Sequence, residues 1–199
     1  INIVSMREHV DKIGNRFFVR IEVDGFVEPA LLEDNLQVVL PTDAEIKVNP
    51  TLEKKIIVLV TKEYHCLADI LIRNHFKTLG ATVLAVIGNH STLQDVCKRF
   101  DIPFHFISHE DKGKEDFEGE LKTIVADYQS DYLVLAKFMR ILSPAFVEAY
   151  QHSIINIHHS FLPAFVGASP YKQAYERGVK LIGATAHFVT NDLDEGPII

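Results

Sequence analysis

The chain has 199 residues, 47% of them hydrophobic and 24% charged, and its formal net charge at pH 7 is -7. This length and composition allow a sizeable buried core, whereas the acidity argues against nucleic-acid binding by bulk electrostatics and against a basic membrane-surface helix. Cys66 and Cys97 lie far apart with no paired spacing, which excludes a disulfide scaffold and a zinc knuckle. No apolar run approaches the roughly 18 residues that span a bilayer and no signal peptide is evident, so we expect a cytoplasmic protein that acts on a small molecule.

Two strands and a helix are predicted at the start of the chain. Residues 16–23 place apolar side chains at every second position, which predicts a half-buried antiparallel strand. Residues 1–6 are its expected partner, across a turn at residues 11–15. A helix follows, opened by Pro29 and closed by Pro41.

A short strand at residues 45–48 completes the order strand, strand, helix, strand. That order is what remains of a βαββαβ module after its first strand and helix are lost. Residues 49–54 form the candidate linker, because Pro50 interrupts any regular element. We therefore predict one domain at residues 1–49 and a second at residues 54–199.

From residue 55 onward, predicted strands alternate with predicted helices. The strands are continuous apolar runs, as buried parallel strands usually are, and they lie at residues 56–60, 82–87, 104–107, 132–136 and 153–157. This alternation predicts an α/β fold with a doubly wound, mostly parallel sheet.

Local signals mark several of the helices between these strands. Ser91 with Gln94 predicts a capping box for a short helix, and Ser143-Pro144 predicts the start of a later one. The strongly charged residues 109–120 predict a loop that leads into a helix around residues 121–128.

Three polar residues follow strands of this sheet. Side chains alternate along a strand, so Asn156 and His158 point the same way and His159 points the other way. Ligands of open α/β sheets bind beyond the carboxyl ends of the strands, which is where both residues fall. Asp194 follows a second β-rich segment, residues 181–190, and would orient the imidazole or accept a proton from water. Such a trio suits attack on a carbonyl-like carbon, although Asn-x-His alone also fits a hydrogen-bonded polar strand end.

The wider string carries a family resemblance. Residues 156–165 read Asn-Ile-His-His-Ser-Phe-Leu-Pro-Ala-Phe and residues 193–197 read Leu-Asp-Glu-Gly-Pro. Together they resemble the folate-dependent formyltransferase family, most closely its hydrolytic, deformylating members, and the resemblance covers essentially the whole chain. In that family the Asn, the His and the Asp form the catalytic set, which maps onto Asn156, His158 and Asp194.

The resemblance implies hydrolysis of 10-formyltetrahydrofolate to formate and tetrahydrofolate, without a cofactor, as a source of formate for purine synthesis and as a balance on the one-carbon pool. It further implies a folate-binding segment made of Phe138, Met139, Arg140, Ile141 and Leu142. Helical spacing alone would instead place Met139 and Leu142 in the core, and Arg140 would then be a structural ion-pair partner.

His187 has two interpretations. It is expected to support Asp194, but a buried histidine satisfied by the backbone fits as well. A zinc site made of His158, His159, His187 and Asp194 is disfavoured, because adjacent histidines on opposite strand faces chelate poorly and the usual structural-zinc spacings are missing.

The turn at residues 61–67 bears on the nucleophile. Related glycinamide ribonucleotide transformylases carry a glycine-containing phosphate loop here, whereas this turn has no glycine and Glu63 adds a repelling charge. Water is therefore the expected nucleophile. A folate-dependent formyltransferase acting on a small amine acceptor is the main alternative, and a non-catalytic amino-acid sensor is a second.

The N-terminal segment resembles part of an ACT domain, a ferredoxin-like regulatory module. This resemblance implies a homo-oligomer, a dimer or tetramer, and a possible amino-acid effector, with no nucleic-acid or membrane partner. The chain opens with Ile1 and stops within an apolar run at Ile198-Ile199. We therefore expect the first domain to be incomplete at its start and the second at its end.

Overall fold

A computed structural model describes residues 2–25, 28–48, 53–167 and 169–199. The chain forms two compact units, Ile1–Leu52 and Glu53–Ile199. Most of the predicted linker, residues 49–52, lies outside the described residues, while Lys54 already belongs to the first strand of the second unit. The assignment of the two domains stays a prediction.

The first unit consists of an antiparallel hairpin followed by a helix. Strand β1 (Asn2–Asp11) is longer than predicted and pairs with β2 (Arg16–Asp24). The carboxylate of Asp11 closes the turn, because its Oδ1 accepts hydrogen bonds of 3.0 Å from the backbone N–H groups of Ile13 and Gly14. Helix α1 (Pro29–Val39) begins at a proline, as predicted.

Two expectations for this unit are wrong. Strand β2 is not half-buried, since Phe17, Val19 and Ile21 are 62%, 41% and 50% exposed. Its described sheet has two strands, and an isolated hairpin leaves both faces open to solvent. Residues 45–48 form no strand, because a strand needs a neighbour for its backbone ladder. The N–H of Val48 donates instead to Oε1 of Glu33 at 3.1 Å.

The second unit is built on a six-stranded sheet with the order β5-β4-β3-β6-β7-β8. Its strands are β3 (Lys54–Val60), β4 (Ala81–Gly88), β5 (Phe104–Phe106), β6 (Tyr132–Ala136), β7 (Ile154–His158) and β8 (Thr185–Phe188). The first five run parallel, and β8 pairs antiparallel with β7. All five apolar runs therefore form strands, whereas the β-rich segment at residues 181–190 contributes only four residues to the sheet.

Helices cover both faces of this sheet. They are α2 (His65–His75), α3 (Gln94–Arg99), α4 (Lys114–Ala126), α5 (Pro144–Ala149) and α6 (Pro170–Glu176). On one face α4 and α5 bury side chains against β3, β6 and β7, and on the other α2 and α3 pack against β3 and β4. The predicted mostly parallel, doubly wound α/β fold is confirmed for this unit. Nowhere in the described ranges does a helix have the length and apolarity needed to cross a membrane.

The helix starts were predicted with mixed success. Helix α4 begins at Lys114, so most of the predicted loop at residues 109–120 is helical. Phe117, Leu121 and Val125 recur at helical spacing on its buried face, and this periodicity outweighs the surrounding charges. The Ser91 capping box is wrong, because Ser91 lies in a 3-10 turn and α3 has no side-chain cap. The cap at Ser143 is confirmed by a 3.1 Å hydrogen bond from the N–H of Phe146 to the serine Oγ.

Candidate active site

Strand β7 carries two of the predicted site residues to the carboxyl edge of the sheet. Asn156 lies beside Leu135 of β6 on one side and His187 of β8 on the other. His158 ends the strand and is 5% exposed. Because the two residues are separated by one position in a strand, their side chains leave the same face of the sheet.

Asp194 reaches this edge from the loop that follows β8. Its backbone is left-handed, with φ of 59°. Gly196 packs so tightly on β8 that an added Cβ would lie 1.7 Å from the carbonyl oxygen of Phe188. The N–H of Phe188 donates to the carbonyl of Pro197 at 2.9 Å, which joins the loop to the strand. These contacts fix the backbone on both sides of the Asp194 side chain.

The carboxylate of Asp194 is buried among three groups. Its Oδ2 lies 3.3 Å from Nδ1 of His158 and accepts a 3.1 Å hydrogen bond from the N–H of Gly167. Its Oδ1 lies 3.7 Å from Nε2 of His187, beyond hydrogen-bond distance. The side chain is only 7% exposed. Oδ2 is therefore occupied by protein donors, while Oδ1 keeps its acceptor capacity for a ligand or water.

Both ring nitrogens of His158 face acceptors. Nε2 lies 2.8 Å from the backbone carbonyl oxygen of Phe165, which can only accept, and Nδ1 faces the carboxylate of Asp194. An imidazolium, with a proton on each nitrogen, satisfies both contacts. His158 and Asp194 then form a buried ion pair whose charges cancel.

His187 fits both of its interpretations. Its Nδ1 lies 3.0 Å from the carbonyl oxygen of Phe188, and its Nε2 lies 3.3 Å from Nδ2 of Asn156. A neutral ring with the proton on Nδ1 donates to the backbone and accepts from the amide. The second amide N–H of Asn156 remains for a ligand. His187 thus lies between Asn156 and Asp194 while being bonded to the backbone.

The loop after β7 supplies contacts that the sequence did not predict. Ser160 Oγ donates to the carbonyl of Phe165 at 2.9 Å, and Thr185 Oγ1 donates to the carbonyl of Ser160 at 2.7 Å. The N–H of Leu162 donates to Thr185 Oγ1 at 3.0 Å. Ser160 and Thr185 are buried, and a buried hydroxyl in an apolar segment is itself a signal, because it must find a partner.

The predicted folate-binding segment alternates between the core and solvent. Phe138 and Leu142 are each 8% exposed and belong to the core, whereas Met139 and Ile141 are 67% and 69% exposed. The helical-spacing interpretation is right for Leu142 and wrong for Met139, because the segment is not helical. The backbone N–H of Met139 donates to Thr61 Oγ1 at 3.0 Å, which joins the segment to the end of β3.

Helix α4 contacts this segment and the residue that follows it. The ring of Phe117 stacks on Phe138 with centroids 6.4 Å apart and receives the guanidinium of Arg140 at 4.7 Å. Arg140 has no carboxylate within 4.0 Å in the described part of the chain, so its interpretation as an ion-pair partner is wrong. The buried carboxylate of Glu118 accepts from the N–H of Ser143 at 2.7 Å and from the hydroxyl of the same residue.

The turn after β3 has no phosphate cradle. Residues 61–67 are all described and none has a positive φ. Helix α2 begins at His65, whose Nδ1 lies 4.0 Å from Oε2 of Glu63. Residues 61–67 therefore do not form the αR–αL nest of backbone N–H groups that binds anions in glycine-rich loops. Within the described ranges, no three His, Cys, Asp or Glu side chains are grouped as metal ligands.

Known proteins are similar to this chain in fold and in sequence. Residues 54–199 match the Formyl transferase family. The formyltetrahydrofolate deformylase of Haemophilus influenzae is 49% identical over the whole chain, which covers 72% of that protein, and that of Escherichia coli (strain K12) is 50% identical, with 71% covered. The crystal structure of a formyltetrahydrofolate deformylase from Pseudomonas syringae pv. tomato has a TM-score of 0.83 and 39% identity, over 99% of this chain and 68% of that one.

A solved transferase is also similar. The phosphoribosylglycinamide formyltransferase of Coxiella burnetii has a TM-score of 0.68 and 36% identity, and the match covers 74% of this chain and 70% of the transferase chain.

Proposed function

Since the chain belongs to the formyl transferase family, we propose that it hydrolyses 10-formyltetrahydrofolate to formate and tetrahydrofolate. The observation that carries this proposal is the buried pair of His158 and Asp194, 3.3 Å apart, on the sheet edge that also presents Asn156. Relatives that are 49% and 50% identical over the full chain are named formyltetrahydrofolate deformylase, which supports the same reaction.

Asp194 activates the water in this proposal. Its Oδ2 is occupied by Gly167 and His158, so Oδ1 is the oxygen that accepts a proton as water adds to the formyl carbon. General acid–base assistance of this kind typically contributes ~100 to 10,000-fold to a rate. When the bond between the formyl carbon and N10 breaks, the proton passes from Asp194 to N10 and formic acid forms. Formic acid then releases its remaining proton to solvent and leaves as formate, so one water is consumed and one proton is released.

Asn156 and His158 stabilise the oxyanion of the tetrahedral intermediate. Asn156 offers the amide N–H that His187 does not use. His158 Nε2 exchanges the carbonyl of Phe165 for the substrate oxygen, because both are acceptors for the same N–H. One preorganised donor of this kind is typically worth ~3 to 4 kcal/mol in the transition state. These side chains supply the acid–base and oxyanion functions themselves, so the proposal includes no cofactor.

The folate lies against residues 138–142 in this proposal. Phe117 contacts Phe138 at the start of that segment and Glu118 binds Ser143, the residue after its end, so the segment is anchored on both sides. We place the reaction in the cytoplasm, where it supplies formate for purine synthesis and balances the one-carbon pool.

We also propose that the first unit is part of an ACT domain, with a possible amino-acid effector and a dimeric or tetrameric assembly. Its hairpin and following helix support this, as do the exposed apolar side chains of β1 and β2, which suit burial against another surface.

A transferase acting on a small amine is the second candidate, supported by the similar fold of a phosphoribosylglycinamide formyltransferase. The test is incubation of the protein with 10-formyltetrahydrofolate in amine-free buffer. Hydrolysis predicts equal amounts of formate and tetrahydrofolate over many turnovers. Product formation only after an amine is added would favour the transferase.

A further inference from the structure

Lys137 has an unusual position at the centre of the carboxyl edge. It follows β6 directly, and β6 lies between β3 and β7 in the sheet. Its backbone is left-handed, with φ of 57°, and its side chain is only partly exposed. This conformation is unfavourable for a residue with a side chain, and such residues are concentrated at functional sites.

The register of the sheet brings Lys137 next to the reaction centre. Leu135 of β6 pairs with Asn156 of β7, so Lys137, two residues further along, leaves its strand beside the strand end that carries His158. Neighbouring strands lie about 4.8 Å apart. On the other side Ala136 pairs with Val60, which places Lys137 level with Thr61.

The charge of Lys137 acts on a histidine and a cysteine, and a carboxylate acts on each of them in the opposite sense. Burial lowers the pKa of His159, and the nearby charges of Lys137 and His158 lower it further, while Asp194 opposes them. Burial raises the pKa of Cys66, the charge of Lys137 opposes that shift, and the charge of Asp69 adds to it. In the described part of the chain, no carboxylate lies within 4.0 Å of the Lys137 ammonium.

The ionisable groups at this edge include a pair of opposite charges, a histidine and a lysine. Asp194 is compensated by His158, so their pair is neutral, and His159 is held in its neutral form. Lys137 is therefore a cation at this edge with no carboxylate within 4.0 Å in the described part of the chain. The proposed hydrolysis converts a neutral formamide into formate, and a nearby cation favours the negative charge that appears beside this neutral pair.

We propose that Lys137 binds the carboxylate of the product formate beside the ring of His159. This inference rests on the proposed function and adds a product subsite to it. Neutral His159 donates one ring N–H to the same carboxylate, and its other side is covered by Tyr171, whose ring centroid lies 5.1 Å away. The subsite receives formate as the bond to N10 breaks and draws its charge away from Asp194.

The test compares the wild type with Lys137→Gln, which keeps much of the stem and removes the charge. Formate affinity is measured without turnover, by titration of 13C-labelled formate followed by NMR, with chloride keeping ionic strength constant. We expect at least a tenfold loss of formate affinity in Lys137→Gln and retention in Lys137→Arg. The matched control is Lys172→Gln, an exposed lysine that pairs with Glu176 and should bind formate normally.

Kinetics separate the two sources of a carboxylate, the product and the glutamate tail of the folate. If Lys137 binds formate, product inhibition weakens in Lys137→Gln while the KM for 10-formyltetrahydrofolate changes less than twofold. A raised KM with unchanged formate affinity would assign Lys137 to the folate tail and overturn the proposal. Unchanged values of both would overturn it as well.

A measurement on the unaltered protein covers the case in which Lys137→Gln does not fold. Bound formate neutralises the Lys137 charge, so saturating formate should slow the alkylation of Cys66 by iodoacetamide at least twofold relative to chloride. An unchanged rate would contradict the subsite. If the wild type binds formate in this way but does not hydrolyse the folate, the proposed function fails and the anion site remains.

Discussion

Replacement of Asp194 by asparagine removes one charge from the site and changes its shape very little. The asparagine oxygen still accepts the 3.1 Å hydrogen bond from the N–H of Gly167. The same oxygen still faces Nδ1 of His158, so the amide N–H2 takes the position of Oδ1, which lies 3.7 Å from Nε2 of His187. An amide nitrogen is not basic, so the group that accepts a proton from water is lost.

Turnover of Asp194→Asn should fall ~100-fold or more, because general acid–base assistance contributes ~100 to 10,000-fold. A 100-fold loss corresponds to about 2.7 kcal/mol of transition-state free energy. The KM for the folate should change little, since the lost interaction is made in the transition state and not with the bound substrate.

Steady-state formate release over a range of 10-formyltetrahydrofolate concentrations gives kcat and KM separately. Asp192→Asn is the matched control, because Asp192 lies in the same loop with an exposed side chain. Its backbone carbonyl, which the substitution keeps, accepts hydrogen bonds from Thr190 Oγ1 and from the N–H of Glu195. The control should keep normal kinetics. Near-normal turnover of Asp194→Asn would refute the assignment and transfer the role of base to His158.

Three further predictions concern the loop after β8, the folate-binding segment and the thiols. Gly196→Ala should lower activity at least tenfold, because its Cβ would lie 1.7 Å from a backbone oxygen, whereas Gly119→Ala in α4 meets no neighbour within 4 Å and should stabilise the protein by ~0.5 to 1 kcal/mol. Glu118→Gln should raise the KM for the folate several-fold with kcat changed less than threefold, because the residue positions the segment without touching reacting atoms. Burial raises the pKa of Cys97 to about 11, so at pH 8 only about one in 1,000 of these thiols is ionised, and a thiol reagent should modify Cys66 alone until the protein unfolds.

Each of these outcomes has a specific contradiction. Normal activity of Gly196→Ala would show that the loop position does not matter for Asp194. Glu120→Gln, an exposed neighbour of Glu118 that pairs with Lys112, should leave the KM unchanged. A lowered melting temperature of Glu118→Gln with an unchanged KM would make Glu118 merely structural. Rapid modification of both thiols in the native protein would contradict the burial of Cys97.

Side-chain alternation made the geometry of β7 predictable. A strand fixes where residues two apart point, so Asn156 and His158 were expected to leave the sheet on the same face. The groups that complete the site were not predictable in this way. Gly167 contributes a backbone N–H and Phe165 a backbone carbonyl, and every residue type has these, so no side-chain pattern identifies them.

The failed predictions have a common physical origin in long-range packing. The charges at residues 109–120 indicated a loop, but a buried face centred on Phe117 makes most of this segment helical. Residues 45–48 read as a strand locally, yet a strand forms only where a neighbour completes its hydrogen bonds.

The choice of nucleophile is the central claim, and one competition experiment measures it directly. The protein is given 10-formyltetrahydrofolate with and without glycinamide ribonucleotide, and formate and the formylated amine are quantified together. The turn at residues 61–67 has no glycine and carries Glu63, so the phosphorylated amine should bind poorly. We predict formate as the main product, at the same rate with or without the amine. Formylated amine appearing at a rate comparable to formate release would contradict the account, even with the site residues placed as described.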